Sequence, residues 1–155
     1  MNCENRFPMP KSIVVDEATM TDTYAKFLGQ PFQRGYGHTL GNSLRRVLLS
    51  SLEGAAICSV RIDGVKHEFG SLENVVEDVT EIVLNLKNVR LNLHAEGPKL
   101  LEIRKDKAGP VTAANIICDS TVEVLNPDQL ICTLDKAFPF RAEIEVMTGK
   151  GYLPA

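Results

Sequence analysis

The chain has 155 residues, of which 44% are hydrophobic and 24% charged; that balance excludes a disordered or fibrous protein, and the length allows one domain with a substantial core or two with marginal cores. The formal charge is −3 and the dense basic groups are Arg45 with Arg46 and the RKDK run of residues 104–107, so direct nucleic-acid binding is not expected, because duplex affinity rests on many cations displacing counterions. No apolar run is long enough to cross a bilayer and the opening MNCENRFPMP lacks the basic-then-apolar order of a secretion signal, so a cytoplasmic chain without membrane contact is expected.

Along the chain, KSIVVDE (11–17) and DTYAKFLGQPFQ (22–33) read as strands, with Pro31 marking an edge or an end. RGYGHTLGNSLRRVLLSSLEG (34–54) then reads as an amphipathic helix stopped by Gly54. ICSVRIDGVKHEF predicts a hairpin around Asp63-Gly64, a pair suited to a type I′ turn. Ser71 is expected to cap a second helix carrying Val75, Val76, Val79, Ile82, Val83 and Leu86 on one side. Glu73, Glu77 and Glu81 form its other face, either solvated or awaiting a basic partner. From residue 89 onward VRLNL, KLLEIRK, STVEVL, QLICTL and FRAEIEV are strand candidates, so the second half is mostly antiparallel β. RKDK before the AGP of residues 108–110 reads as a solvated hairpin end.

The first helix carries the sharpest pattern. At 100° per residue, Leu40, Leu44, Val47, Leu48 and Leu52 fall on one stripe, and burying them fully would contribute on the order of 10 kcal/mol before entropy is subtracted. Gly41 lies beside the stripe at a cost of roughly 1 kcal/mol against alanine, which close approach of another backbone would offset. On the far side Asn42, Arg46 and Leu49 cluster, with Arg45 at their margin, a composition suited to protein contact.

Chemistry is harder to find. Gly35, Gly37 and Gly41 are one residue too widely spaced for GxGxxG, and the run before them alternates polar residues, unlike a central parallel strand. A small nucleotide-binding enzyme using the Gly35–Gly41 turn is kept as the alternative, and a generic β-rich interaction module as a third possibility. His38, His67 and His94 stand alone, no serine sits in a GxSxG elbow, and no catalytic residue is assigned. Cys3, Cys58, Cys118 and Cys132 form no CxxC pair, so reduced buried thiols are expected and neither metal nor cofactor is implied.

The run RGYGHTLGNSLRRVLLSSLEGAAICSVRIDGVKHEF resembles the amino-terminal domain of the alpha subunit of bacterial-type DNA-directed RNA polymerase, with EDVTEIVLNLKNVRL, AGPVTAANI, the NPD of residues 126–128 and GKGYLPA following in family order. The resemblance implies an α+β fold in which a discontinuous dimerisation domain carries an inserted, mostly antiparallel β domain. Its expected boundaries are 1–53 for the first part of the dimerisation domain and 54–155 for the insert. It also implies a non-catalytic scaffold that pairs with a second alpha subunit and then recruits the beta and beta-prime subunits, where nucleotidyl transfer takes place.

On this resemblance Tyr36, Leu40, Gly41, Leu44, Val47, Leu48 and Leu52 belong to the dimer seam. Arg46 and Leu49, with Asn42 and Arg45 beside them, would meet the large subunits, as would Glu81 and Lys87. Two departures stand out. Family members continue beyond GYLPA, so a truncated subunit is expected, with apolar surface exposed on the first helix. Asn115 replaces an aspartate usual in the VTAAD motif.

Overall fold

The computed structural model describes residues 8–152. The chain divides into two compact units, 1–51 and 52–155, and its class is α+β.

Among the described residues, the first unit contains two three-residue strands, a short 3-10 turn at Glu17–Thr19 and an α-helix. β1 (Ile13–Val15) pairs antiparallel with β2 (Phe27–Gly29), Val14 opposite Leu28. Pro31 follows β2 after a single residue, Gln30, so the strand stops just before the ladder would lose a donor. α1 runs Tyr36–Ser50. Gly35 precedes it at φ 87°, a left-handed conformation that a side chain would strain.

α1 ends earlier than expected. Ser51 closes it by donating its amide to the Val47 carbonyl (2.9 Å), and the Ser50 hydroxyl donates to the Arg46 carbonyl (2.7 Å). Such side-chain bonds compete with the helical ladder. Leu52 therefore lies beyond the helix, and Gly54 sits inside a strand instead of stopping α1.

The second unit is organised by β3 (Glu53–Ile62), α2 (Val79–Leu86), β4 (Leu91–Leu93), β5 (Lys99–Lys105), β6 (Gly109–Thr112), β7 (Ile116–Ile117), β8 (Val122–Val124), β9 (Leu130–Leu134) and β10 (Phe140–Lys150). Six strands form one antiparallel sheet in the order β7-β5-β10-β3-β4-β8, while β6 and β9 form a separate ribbon. β10 is the spine. Its period of two puts Phe140, Ala142, Ile144 and Val146 into the core and Arg141, Glu143 and Glu145 on the opposite face. On that outer face Arg61 pairs with Glu143 at 2.6 Å and Arg141 with Asp106 at 2.7 Å.

Beneath the sheet, Val79, Ile82 and Leu86 of α2 join Leu101, Ile103, Val111, Ile131, Cys132 and Leu134 in one continuous apolar core. The ladder of β3 and β10 slips by one residue between Glu145 and Val146, leaving Cys58 as the extra residue of a bulge.

Three local expectations give way to long-range packing. The turn at Asp63-Gly64 forms, but only Gly64 has positive φ (84°), whereas a type I′ turn needs two such residues. No strand follows it: the Asp63 amide donates to the Arg141 carbonyl, so β3 pairs with β10, far along the chain. The second helix begins at Val79 under an Asp78 cap, whose carboxylate accepts the Glu81 amide at 2.7 Å, and not at Ser71. Val75 bridges Leu134 and the Val76 amide donates to the Thr133 carbonyl, the extended conformation that β-branched residues favour. AGP does not simply close a hairpin either, because Gly109 and Pro110 enter β6 and pair with β9.

Candidate partner-binding surface

α1 is built to show its side chains. None of its residues is buried; Leu40 is half-buried, and the others are exposed. Leu44 is 59% exposed, Val47 54% and Leu48 58%, so the apolar stripe is open within this unit. One margin of the stripe continues into an apolar groove of about 440 Å³, lined by Ile13, Phe27, Phe32, Leu40, Gly41 and Leu44. The rings of Phe32 and Tyr36 lie 6.3 Å apart and tilted, which ties the helix start to the segment before it. Among the described residues, a Cβ added at Gly37 or Gly41 would meet nothing within 4 Å, so the close backbone approach expected at Gly41 is not made by any of them.

The opposite side of α1 carries Asn42, Arg45, Arg46 and Leu49. Arg45 donates to Asn42 Oδ1 at 3.4 Å. The Arg46 guanidinium is exposed and, among the described residues, has no ion-pair partner; Leu49 beside it is 67% exposed. These four residues therefore share one face, opposite the stripe of Leu40, Leu44, Val47 and Leu48.

Glu81 and Lys87 belong to the second unit. Both are exposed, Glu81 in the first turn of α2 and Lys87 at its C-terminal cap. Six residues apart, they leave the helix in different directions. Lys87 adjoins a shallow surface hollow with Phe69, Val83 and Leu84, and Phe69 is 81% exposed.

The acidic row Glu73, Glu77 and Glu81 does not form one helical face, since α2 starts after Glu77. Glu77 reaches inward instead. Its carboxylate accepts the Thr133 amide at 2.6 Å and the Thr133 hydroxyl at 2.9 Å, clamping the chain before α2 onto β9. Sequence spacing concealed this role, because the partner lies 56 positions away. Asn126 acts similarly: its amide oxygen accepts the Arg90 amide and its nitrogen donates to the Asn88 carbonyl. Asn115 accepts the Thr112 amide through Oδ1 at 3.0 Å in a capping box, a task the oxygen of an aspartate would also perform.

The thiols differ from expectation. Cys58 is exposed, Cys118 half-buried and only Cys132 fully buried, while Cys3 lies outside the described residues. Burial pushes the Cys132 thiol up to about 12, with the Glu77 carboxylate adding to the effect. Among the described residues no group of three or more His, Cys, Asp or Glu is placed to hold a metal ion, and no helix is long and apolar enough to cross a membrane.

The glycine-turn reading also meets the geometry. Gly37 and Gly41 lie inside α1, leaving only Gly35 in the turn, and the preceding β2 belongs to an antiparallel ribbon. A phosphate cradle of the dinucleotide-binding type requires a glycine loop between a parallel strand and a helix.

Comparison with known proteins agrees with the resemblance seen in the sequence. The family model described as RNA polymerase Rpb3/RpoA insert domain matches residues 60–155. The chain is 54% identical over 146 residues to the DNA-directed RNA polymerase subunit alpha of Syntrophus aciditrophicus, covering 94% of this chain and 42% of that one. It is 53% identical over 148 residues to the alpha subunit of Symbiobacterium thermophilum, covering 96% and 46%. With the alpha subunit of Desulfovibrio desulfuricans the identity is 50% over 146 residues, covering 94% and 42%. The chain thus spans less than half the length of these relatives.

Proposed function

Because the chain belongs to the RNA polymerase Rpb3/RpoA insert-domain family, we propose that it is a non-catalytic scaffold of a DNA-directed RNA polymerase, acting in the cytoplasm. It pairs with a second alpha subunit through the α1 stripe and presents the reverse side of the helix to a large subunit. Residues 1–53 supply part of the dimerisation domain and 54–155 the insert. The observation that carries this reading is a helix with no buried residue, apolar on one side and arginine-rich on the other.

Tyr36, Leu40, Gly41, Leu44, Val47 and Leu48 are the pairing residues, with Leu52 just beyond the helix end. Asn42, Arg45, Arg46 and Leu49 are the large-subunit contacts on α1. Arg46 is the strongest anchor among them, since a free guanidinium beside an exposed leucine offers both fixed hydrogen-bond geometry and apolar area. Glu81 and Lys87 contribute a second contact from the insert, where exposed Phe69 and Leu84 supply apolar surface nearby. Nucleotidyl transfer belongs to the beta and beta-prime partners, and this chain supplies their assembly.

The test is capture. Arg46→Ala is expected to keep self-association while weakening co-purification of the beta subunit, by about 1 kcal/mol or more if the arginine becomes desolvated on binding. Undiminished capture removes Arg46 from the contact.

A further inference from the structure

We propose that Glu77 is a positioning residue: its carboxylate, anchored on Thr133 of β9, sets the placement of α2 and with it the ledge of Phe69, Leu84 and Lys87 that meets a large subunit. This deepens the contact read above for Glu81 and Lys87 and rests on it.

Apolar burial alone does not fix α2. Val79, Ile82 and Leu86 hold the helix under the sheet, but the hydrophobic effect has no direction, and an eight-residue helix held only by it could slide or turn about its axis. Directional bonds fall at both ends, and both go to β9. At the start Glu77 Oε2 accepts the Thr133 amide at 2.6 Å and Oε1 the Thr133 hydroxyl at 2.9 Å; toward the far end Asn85 Nδ2 donates to the Ile131 carbonyl at 3.0 Å. The two adjoining acids divide the work, since Asp78 turns to the Glu81 amide and caps the helix. Residues 63–78 contain no helix and no ladder beyond the Val75–Leu134 bridge. The Val76 amide bonds to the Thr133 carbonyl and the Asn74 carbonyl to the Asp135 amide, but both lie before Glu77, whose carboxylate is the last tie to β9 before the helix begins.

What the clamp places is exposed. The Val79 amide donates to the Gly70 carbonyl at 3.1 Å and the Thr80 hydroxyl to the Glu68 carbonyl at 3.0 Å. Phe69, 81% exposed, is thus held between two residues tied to the first turn of α2. Moving that turn moves Phe69 together with Leu84 and Lys87, which line one hollow of about 240 Å³ with it. A surface ordered beforehand loses less conformational freedom on binding, so a side chain that turns inward can still set affinity.

Glu77→Gln and Glu77→Asp separate placement from charge. Glutamine keeps the length: its carbonyl accepts the Thr133 amide and its NH2 donates to the Thr133 hydroxyl oxygen. Aspartate keeps the charge but is shorter by about 1.5 Å, which leaves the 2.6 Å bond out of reach. Capture of co-expressed beta and beta-prime subunits by the 155-residue chain, at a temperature where thermal melts show each variant folded, is the first readout. Glu77→Gln is expected to match the parent and Glu77→Asp to weaken capture about 2- to 30-fold. The second readout is iodoacetamide labelling of the free chain, resolved by site. Glu77→Asp should speed labelling of Cys132, buried next to Thr133 on β9, by about tenfold or more, while exposed Cys58 reacts as before. Weak capture by Glu77→Gln means that a partner reads the charge and overturns the inference, as does parent-like capture or parent-like Cys132 labelling for Glu77→Asp. Phe69→Ala and Lys87→Ala test the contact itself. If neither weakens capture, or the parent captures no large subunit, the contact reading falls; if both weaken it and Glu77→Asp does not, only the role of Glu77 falls.

Discussion

Leu44→Asp separates a surface meant for a partner from one that merely happens to be apolar. Leu44 is 59% exposed, and complete burial of a leucine is worth about 1.5–3 kcal/mol, so covering its open part contributes about 1–2 kcal/mol per copy. A two-fold interface uses the residue twice, which makes the loss on Leu44→Ala about 2–4 kcal/mol, or about 30- to 1,000-fold in Kd. Aspartate adds the cost of burying an unpaired carboxylate, so no dimer should survive at micromolar concentration. The same change should leave the melting of the second unit untouched. Ile82→Ala is the control: Ile82 is fully buried beneath the sheet, and its truncation should cost about 2–5 kcal/mol of that unit's stability. Sedimentation velocity over a concentration series, with thermal melts of each variant, gives both readouts. If Leu44→Asp associates like the parent chain, the stripe is not the seam.

Gly41→Ala should raise helical ellipticity, since the exchange favours the helix by about 1 kcal/mol and the new methyl meets no neighbour among the described residues. It should nevertheless weaken self-association if a partner backbone packs against that position, and stronger dimerisation in step with the helicity would refute close approach there. Cys132 should resist iodoacetamide at pH 8 in the folded chain while exposed Cys58 reacts, and unfolding should release it. The pH dependence has a definite sign. The folded thiol holds its proton to about 12 against an ordinary value of 9.0, so the unfolded chain loses that proton first and stability falls as pH rises through this window. Denaturant titrations of the parent and Cys132→Ala, in which the parent loses more stability above pH 9, check it.

Patterns that need only one element were legible in the sequence. The face of α1 could be drawn before any coordinates, because a 3.6-residue period does not depend on what covers it. β5 and the Phe140–Val146 part of β10 were equally visible, since alternate residues of each face the core, whereas Met147–Lys150, which prolong β10, are exposed and carry no such alternation. What escaped depended on distant partners. Val75 and Val76 share a helical spacing with Ile82 and Leu86, yet β9 draws them into extended pairing, and no local rule weighs that competition. The run after Gly64 looked like a returning strand until β10 occupied the place beside β3. Glu77 read as one more surface acid because its value lies in two donors of Thr133. β6 defied its own composition: Pro110 cannot donate to a ladder, but in a two-stranded ribbon one side of each strand is free of that demand.

The two sides of α1 make one further demand on the data. Stepping around the helix, Leu44 and Val47 lie roughly opposite Arg46 and Leu49, and a helix with its side chains is about 10–12 Å across. Substitutions that far apart, with no shared neighbour, add to within about 0.3–0.5 kcal/mol. A double-mutant cycle of Leu44→Ala and Arg46→Ala should therefore show no coupling in self-association, with Arg46→Ala alone nearly silent in that assay. In beta-subunit capture, measured at concentrations where the Leu44→Ala chain is still dimeric, the loss should belong to Arg46 alone. Coupling above about 1 kcal/mol in self-association would mean that a single partner wraps both faces. One helix could not then serve a twin and a large subunit at once, and the division of labour across α1 would have to be abandoned.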